Sequence, residues 1–426
     1  MSPEAKFSGK LAFDYCTHFT NRIGERVQGQ EGAALAKDYI LEKFKEFGLE
    51  KITAEPFPVL TSQQSLAQIT TGKHNIAGLS FGLSGASEAG GTTAPLLYLN
   101  PWELQQPAKE LPAVEGKIVL FYSRNASEQH YQTLIEAGAK GIIYVTYHPG
   151  TPPQLPSGFT YLRLSLDKEI ALPPIVSVSH RDGQILKEYA KQVTLRADVK
   201  TYPSEGYNVL GEIPGTESGD VILISAHYDS VPYSAGATDD AGGTAILLEL
   251  ARCLAKTSPE RTIRFFACGA EEGALLGAQH YCIKHKKQLS EIKLNLNFDV
   301  QGTQLGNLAA GILANELFQK HLTRNTTKWR PIIRVAPTGG DNKVFAWHGI
   351  PAIHWWYGGG SNFLYNHTPL DDITQISESS LETVGAASQH FIASLEKMKV
   401  LDFTLPAEQL EGLESKLKPR ITPKQI

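Results

Sequence analysis

One stretch constrains the fold of this chain more than any other: residues 221–250, VILISAHYDSVPYSAGATDDAGGTAILLEL. It reads as a short apolar strand from Val221 to Ile224 that runs into the polar triplet His227-Tyr228-Asp229. The chain then crosses a loop of small residues and enters a helix through Asp239 and Asp240. Strand, polar loop and helix in that order are the repeating unit of an α/β sheet, which gathers its chemistry at the carboxyl ends of its strands. His227 and Asp239 are both good ligands for a hard or borderline dication, and a short Gly/Ser/Ala loop can fold them together. Asp229 lies two residues beyond His227 and so on the same strand face, where a carboxylate can take the second imidazole N–H and fix the tautomer. A plainer reading stands beside this one: His227 simply ends a strand, and Asp239 simply caps a helix, as Asp often does.

The other strand ends bear on that choice. RTIRFFACG is a β-rich run that leads to Glu271-Glu272, with a helix after it. Two adjacent carboxylates repel unless a cation or a proton lies between them, although acidic residues also enrich the first turn of ordinary helices. In KLNLNFDVQG, Leu294, Leu296 and Phe298 alternate and Asp299 closes the run. GIPAIHWWYGGG is a further apolar strand that carries His354, Trp355 and Trp356 into glycines, and His367 follows in NHTPLDD. Three strands that finish in a carboxylate or an imidazole point to one site at one sheet edge. His354 and the aromatic run fit a core strand end and an apolar substrate pocket equally well. His280, His285 and His348 have no partner at ligand spacing. Asp371, four residues after His367, is placed to orient it.

The chain has 426 residues, enough for two or three domains, and its 42% hydrophobic content is that of a globular enzyme. Forty basic and forty-four acidic residues give a net charge of −4 with no Lys/Arg cluster, which argues against a nucleic-acid partner. The longest apolar runs, such as GIIYV at 141–145, are far too short to span a bilayer, so a soluble chain with no membrane role is expected. The start lacks an apolar h-region, which leaves two cases open: no secretory signal, or a secreted or periplasmic protein whose signal has been removed. Cys16, Cys253, Cys268 and Cys282 show no metal-type spacing and suit buried free thiols as well as a disulfide. Two sequons, at Asn125 and Asn325, are compatible with secretion and too common to argue it. A third, at Asn366, overlaps a candidate ligand.

In chain order, Leu35, Tyr39, Ile40, Phe44 and Phe47 predict an amphipathic helix over 31–48 that ends at Gly48. Helical periodicity then vanishes. From about residue 94 to 199, short β-like runs alternate with one clear helix, EQHYQTLIEAGA, and the order GKIVLFYSRN, EAGAKGIIYV, LPPIVSVSHRDGQIL resembles the protease-associated domain. His130, His148 and His180 lie there without carboxylate or thiol partners and read as surface or structural. The α/β pattern resumes at NVLGEI. The expected organisation is a discontinuous domain of residues 1–62 and 200–400, an insert over 63–199, and a tail over 401–426 whose Leu410, Leu413 and Leu417 share a short helix face.

The succession HYDS, ATDDAGG, AEEGALLG, NFDVQG, HTPLDD resembles metallopeptidase family 28, the co-catalytic di-zinc aminopeptidases, over most of the chain. The resemblance implies a zinc-exopeptidase fold: an α/β domain with a mixed, mostly parallel sheet flanked by helices, carrying an inserted β-rich protease-associated domain. It implies two Zn²⁺ per chain, one held by His227 and Asp299, the other by Glu272 and His367, with Asp239 bridging them. Glu271 is then the general base, Asp229 the partner behind His227, and the Asp239–Asp240 peptide is cis. Two imidazoles and three carboxylates without a thiolate suit zinc, with cobalt and manganese also inside their chemistry. The implied reaction removes N-terminal residues from peptides with a free amine.

Alternatives within the fold are a metallo-carboxypeptidase, which calls for arginine at the pocket, a single-zinc glutaminyl cyclase, and a binding protein that has lost ligands. No arginine cluster lies near these motifs in sequence, and all five ligands are present. Two departures concern substrate. Asn366 stands where the family often has tyrosine, and Gly340-Asp341-Asn342 replaces a Ser-Asp-His block. The oligomeric state is not legible.

Overall fold

The computed structural model describes residues 5–417 except 106, 112–113, 125, 167–169, 218 and 360–361. The sequon at Asn125, the Leu417 side chain and the chain beyond it lie outside the described residues. Eight strands make the main sheet: β1 (Glu50–Gln64), β2 (Val199–Ile213), β3 (Val221–His227), β4 (Thr262–Cys268), β5 (Ile292–Phe298), β6 (Asn307–Leu313), β7 (Ile332–Val335) and β8 (Ala352–Gly358). Their order is β1-β2-β4-β3-β5-β8-β6-β7. β4 with β3, β3 with β5, β5 with β8 and β6 with β7 pair in parallel, and the remaining pairs are antiparallel. The expected mixed, mostly parallel sheet flanked by helices is what the chain forms.

Every residue of β3 is buried, because helices cover both faces of the sheet and a parallel strand so placed must be apolar nearly throughout. In front of it lies a helix buried at every position but Arg252, α3 (Gly242–Leu254). The predicted helix over 31–48 is observed as α2 (Glu31–Phe47), and Gly48 ends it in the left-handed conformation, φ 81°. Its buried stripe is Ala33, Ala36, Ile40, Phe44 and Phe47, whereas Leu35 stands 48% exposed. An earlier helix, α1 (Gly9–Thr17), carried no expectation. It lies against helix Glu378–Leu395 so closely that a Cβ on Gly9 would sit 2.7 Å from that of Glu382. All four cysteines are buried and none is in a disulfide.

β1 and β2 run antiparallel from the pair Glu50/Glu212 to the pair Gln64/Val199, so both strands leave the sheet together as a ribbon. The chain between them closes a seven-stranded barrel, in the order Leu66–Thr71, His74–Ser80, Ile175–Val178, Gly141–Thr146, Ile118–Ser123, Thr92–Leu99, Gln192–Arg196. Its interior is packed by Ile69, Ile118, Leu120, Ile143, Val176 and Leu195. A second cluster, which includes Phe81, Phe121, Tyr131, Tyr144 and Leu155, lies on its other side. No helix among the described residues is long and apolar enough to cross a membrane.

Candidate metal centre

The register of the central strands sets the site. His227 pairs with Cys268 across β3 and β4, and Ala226 with Phe298 across β3 and β5. His227, the Glu271-Glu272 turn and Asp299 therefore emerge at the carboxyl ends of three adjacent parallel strands. Asp239 arrives from the turn before α3, where the Asp239–Asp240 peptide is cis. His367 arrives from the loop beyond β8, in the left-handed region at φ 60°. Ala270 and Val300, beside Glu271 and Asp299, also have positive φ (55° and 59°). Such conformations in non-glycine residues cluster where a site imposes them.

These residues meet in two groups that share one member. His227 Nε2 lies 3.1 Å from Asp239 Oδ1 and 3.8 Å from Asp299 Oδ1. His367 Nε2 lies 3.3 Å from Asp239 Oδ2 and 3.0 Å from Glu272 Oε1. In each triad, His227/Asp239/Asp299 and Asp239/Glu272/His367, the ligand atoms lie within 4.8 Å of one another. Burial disfavours charge on both imidazoles, but the facing carboxylates overcome it and hold His227 and His367 protonated well above the usual histidine range. Burial likewise works against the Asp239 anion, and the two imidazoles outweigh it and keep Asp239 below the usual carboxylate range. Burial raises Glu272 despite His367, and raises Glu271 well above its ordinary value, with Asp299, Glu272 and Asp341 adding repulsion. So many buried carboxylates at one point call for a cation. The donors fit one: two imidazoles and three carboxylates, with no thiolate, are ligands for zinc or a similar dication.

Behind the triads, neighbouring groups hold each member in place. Asp229 Oδ1 lies 3.4 Å from His227 Nδ1, and the two Asp229 oxygens accept the Glu271 and Glu272 N–H groups at 3.2 Å each. One carboxylate thus ties the imidazole to the acidic turn. Asp371 does not reach His367. It accepts from Thr238 N and Oγ1 at 2.8 Å and from Asp239 N at 3.2 Å, and burial pushes it up to about 7. The chain from 366 to 370 is turn and bend, and Asp371 supports the Asp239 turn instead of His367. Asn366 donates to Asp239 Oδ2 at 3.3 Å. His354 faces inward, its Nε2 3.1 Å from the Asp299 carbonyl, and stacks on Trp356 with ring centroids 5.2 Å apart, while Trp355 is buried in the core. The aromatic run thus divides between core and site wall. His285, read as partnerless, pairs with Glu55 at 3.0 Å.

Of three further contributors, Arg26 and Leu155 carried no sequence signal, and Gly340 was noted only as a departure from the family block. Arg26 is fully buried and donates to the carbonyls of Gly24, Tyr228, Ala235 and Gly236, clamping the loop between His227 and Asp239. Gly340 leaves no room for a side chain: a Cβ there would meet Glu271 Oε1 at 2.3 Å and Asp299 Oδ2 at 2.6 Å. Leu155 of the barrel accepts from His367 Nδ1 at 2.9 Å through its carbonyl. A carbonyl only accepts, so Nδ1 carries a proton, and Nε2 is the nitrogen left to face Glu272 and Asp239. His148 also lines the cleft beside His367, with Arg124, Tyr147 and Gln154. His130 and His180 are structural: one caps a helix at Ser127, and the other lies 3.1 Å from the Thr146 carbonyl.

Residues 208–392, which carry every candidate ligand, match the family model described as Peptidase family M28. Aminopeptidase YwaD of Bacillus subtilis (strain 168) is 27% identical over 408 residues, 90% of this chain and 84% of that protein. Carboxypeptidase Q of Bos taurus is 25% identical over 404 residues, covering 88% and 84%. Among solved structures, a zinc aminopeptidase from Bacillus subtilis superposes with a TM-score of 0.76 at 25% identity, over 95% of this chain and 100% of that one. By sheet, strand-end residues and family match together, the domain that holds this centre belongs to peptidase family M28.

Proposed function

We propose that the chain is a zinc-dependent aminopeptidase that binds two metal ions and hydrolyses the N-terminal bond of short peptides. The observation that carries this reading is Asp239, which turns one oxygen to each imidazole and so joins two three-residue clusters. His227 and Asp299 would hold one ion, Glu272 and His367 the other, with Asp239 common to both. A bound pair of ions supplies Lewis acidity to a peptide carbonyl and lowers the pKa of water toward neutrality. Glu271 belongs to neither cluster, and its raised proton affinity suits it to take a proton from the attacking water and return it to the leaving amine. Asp229 fixes the imidazole of His227 and the backbone that presents Glu271. The inserted barrel, read as a protease-associated domain, walls the cleft beside His367 and favours chain ends over chain interiors.

Glu271→Gln tests the base: kcat should fall about 10²–10⁴-fold with the metal content unchanged, and full activity in that variant would refute the assignment. A second reading, carboxypeptidase, is favoured by one feature that the fold assembles from distant sequence. Arg124 of the barrel and Arg334 of β7 both line cavities that reach the candidate ligands, and a guanidinium suits a terminal carboxylate. That reading predicts that amidating the peptide C-terminus abolishes turnover, while acetylating the N-terminus does not.

A further inference from the structure

The two imidazoles are secured by different parts of the chain. His227 is held within the main sheet: Asp229 of the same segment faces its Nδ1, and Thr244 of α3 donates to its carbonyl at 2.7 Å. His367 is held by the barrel. Besides the bond from its Nδ1 to the Leu155 carbonyl, its own carbonyl accepts the Leu155 N–H at 3.0 Å, so the Leu155 main chain both accepts from His367 and donates to it. One residue earlier on each side, Gln154 Nε2 donates to the Asn366 carbonyl at 2.8 Å. Asn366 in turn donates to Asp239.

The barrel segment is itself fixed. The Leu155 side chain packs into the barrel's aromatic cluster, Gln154 N donates to Ser177 Oγ at 3.0 Å, and Thr146 Oγ1 donates to the Pro152 carbonyl at 3.1 Å. His367 needs such a hold, because its left-handed backbone is unfavourable for a residue with a Cβ and the loop that carries it forms no regular ladder with the sheet.

We infer that the Gln154–Leu155 segment of the barrel is a positioning part of one metal half-site, so that the Asp239/Glu272/His367 half is complete only with the barrel seated, while His227 and Asp299, the unshared ligands of the other half, are held by the main sheet. The inference rests on the reading that both clusters bind metal. Outer groups that fix a ligating imidazole typically govern metal affinity by about ten- to a hundredfold, and here that influence falls on one half. Any displacement of the barrel on its ribbon, as on admitting a substrate, would then loosen one metal and leave the other.

Stepwise zinc affinities of the full, chelator-stripped chain test this by calorimetric titration, with bound metal counted by elemental analysis. Gln154→Ala removes the bond to Asn366, and Leu155→Pro removes the N–H that pairs with His367. Two variants are used so that a folding failure in either leaves the other informative, and circular dichroism identifies such a failure. The unaltered chain should bind two ions. Each folded variant should bind one with unchanged affinity and the second about ten- to a hundredfold more weakly. Two ions bound as in the unaltered chain, or both weakened alike, would overturn the inference and leave the two-metal reading standing. A single ion in the unaltered chain would overturn both.

Discussion

Asp239 is the residue on which the centre turns, because both imidazoles face it and Asp371, Thr238 and Asn366 fix it from behind. The five candidate ligands were legible in the sequence because each closes a strand, opens a helix or stands alone beside a turn, where residue type carries meaning. Their supports were not, because Leu155 acts through its carbonyl and Gly340 through having no side chain. At this scale two outcomes are expected. Metal-free His227 and His367 are protonated well above their ordinary range, so metal uptake near neutral pH must expel protons, and affinity must weaken as pH falls. Zinc titrations in buffers of different ionisation enthalpy would reveal the released protons as a buffer-dependent heat. Gly340→Ala should displace Glu271 or Asp299, and an ångström of misplacement costs on the order of 100-fold in kcat, in a protein whose circular dichroism is unchanged.

Among elements, β3 was read correctly because a buried parallel strand spells itself as an unbroken apolar run. The helix over 31–48 was found, but its apolar face was misjudged at Leu35, which points outward, because Ala33 and Ala36 let the helix approach the sheet closely. The helix Gly9–Thr17 was missed, since it is held by contacts far away in sequence, with Gly9 bonded to Glu382, 373 residues on. The segment that follows it delivers Arg26 beneath the loop from Tyr228 to Gly236. Arg26→Met would strip two buried and two half-buried carbonyls of their donor, and each buried bond left unmade costs about 1–3 kcal/mol. A loss of about 3 kcal/mol or more is expected, read as a lower urea midpoint at constant slope. An unshifted midpoint would mean that the loop holds itself.

For the whole molecule, the main sheet supplies the chemistry and the barrel supplies one wall of the cleft. The sequence changes pattern along the stretch between β1 and β2, where the barrel strands lie. The seating of the barrel on the His367 loop was not legible, since the two segments lie 212 residues apart and meet mainly through main-chain groups. The carboxypeptidase alternative regained support for the same reason, as Arg124 and Arg334 approach the ligands only after folding. The central claim is metal-dependent hydrolysis from a free N-terminus. Mass spectrometry of one mixed-sequence peptide incubated with the zinc-loaded chain tests it most directly, alongside a chelated control, an N-acetylated copy and a C-amidated copy. A ladder that loses residues from the N-terminus of the free and the amidated peptides, and that is absent after acetylation or chelation, is the predicted result. Residues lost from the C-terminus, or no cleavage by protein carrying its metal, would contradict it.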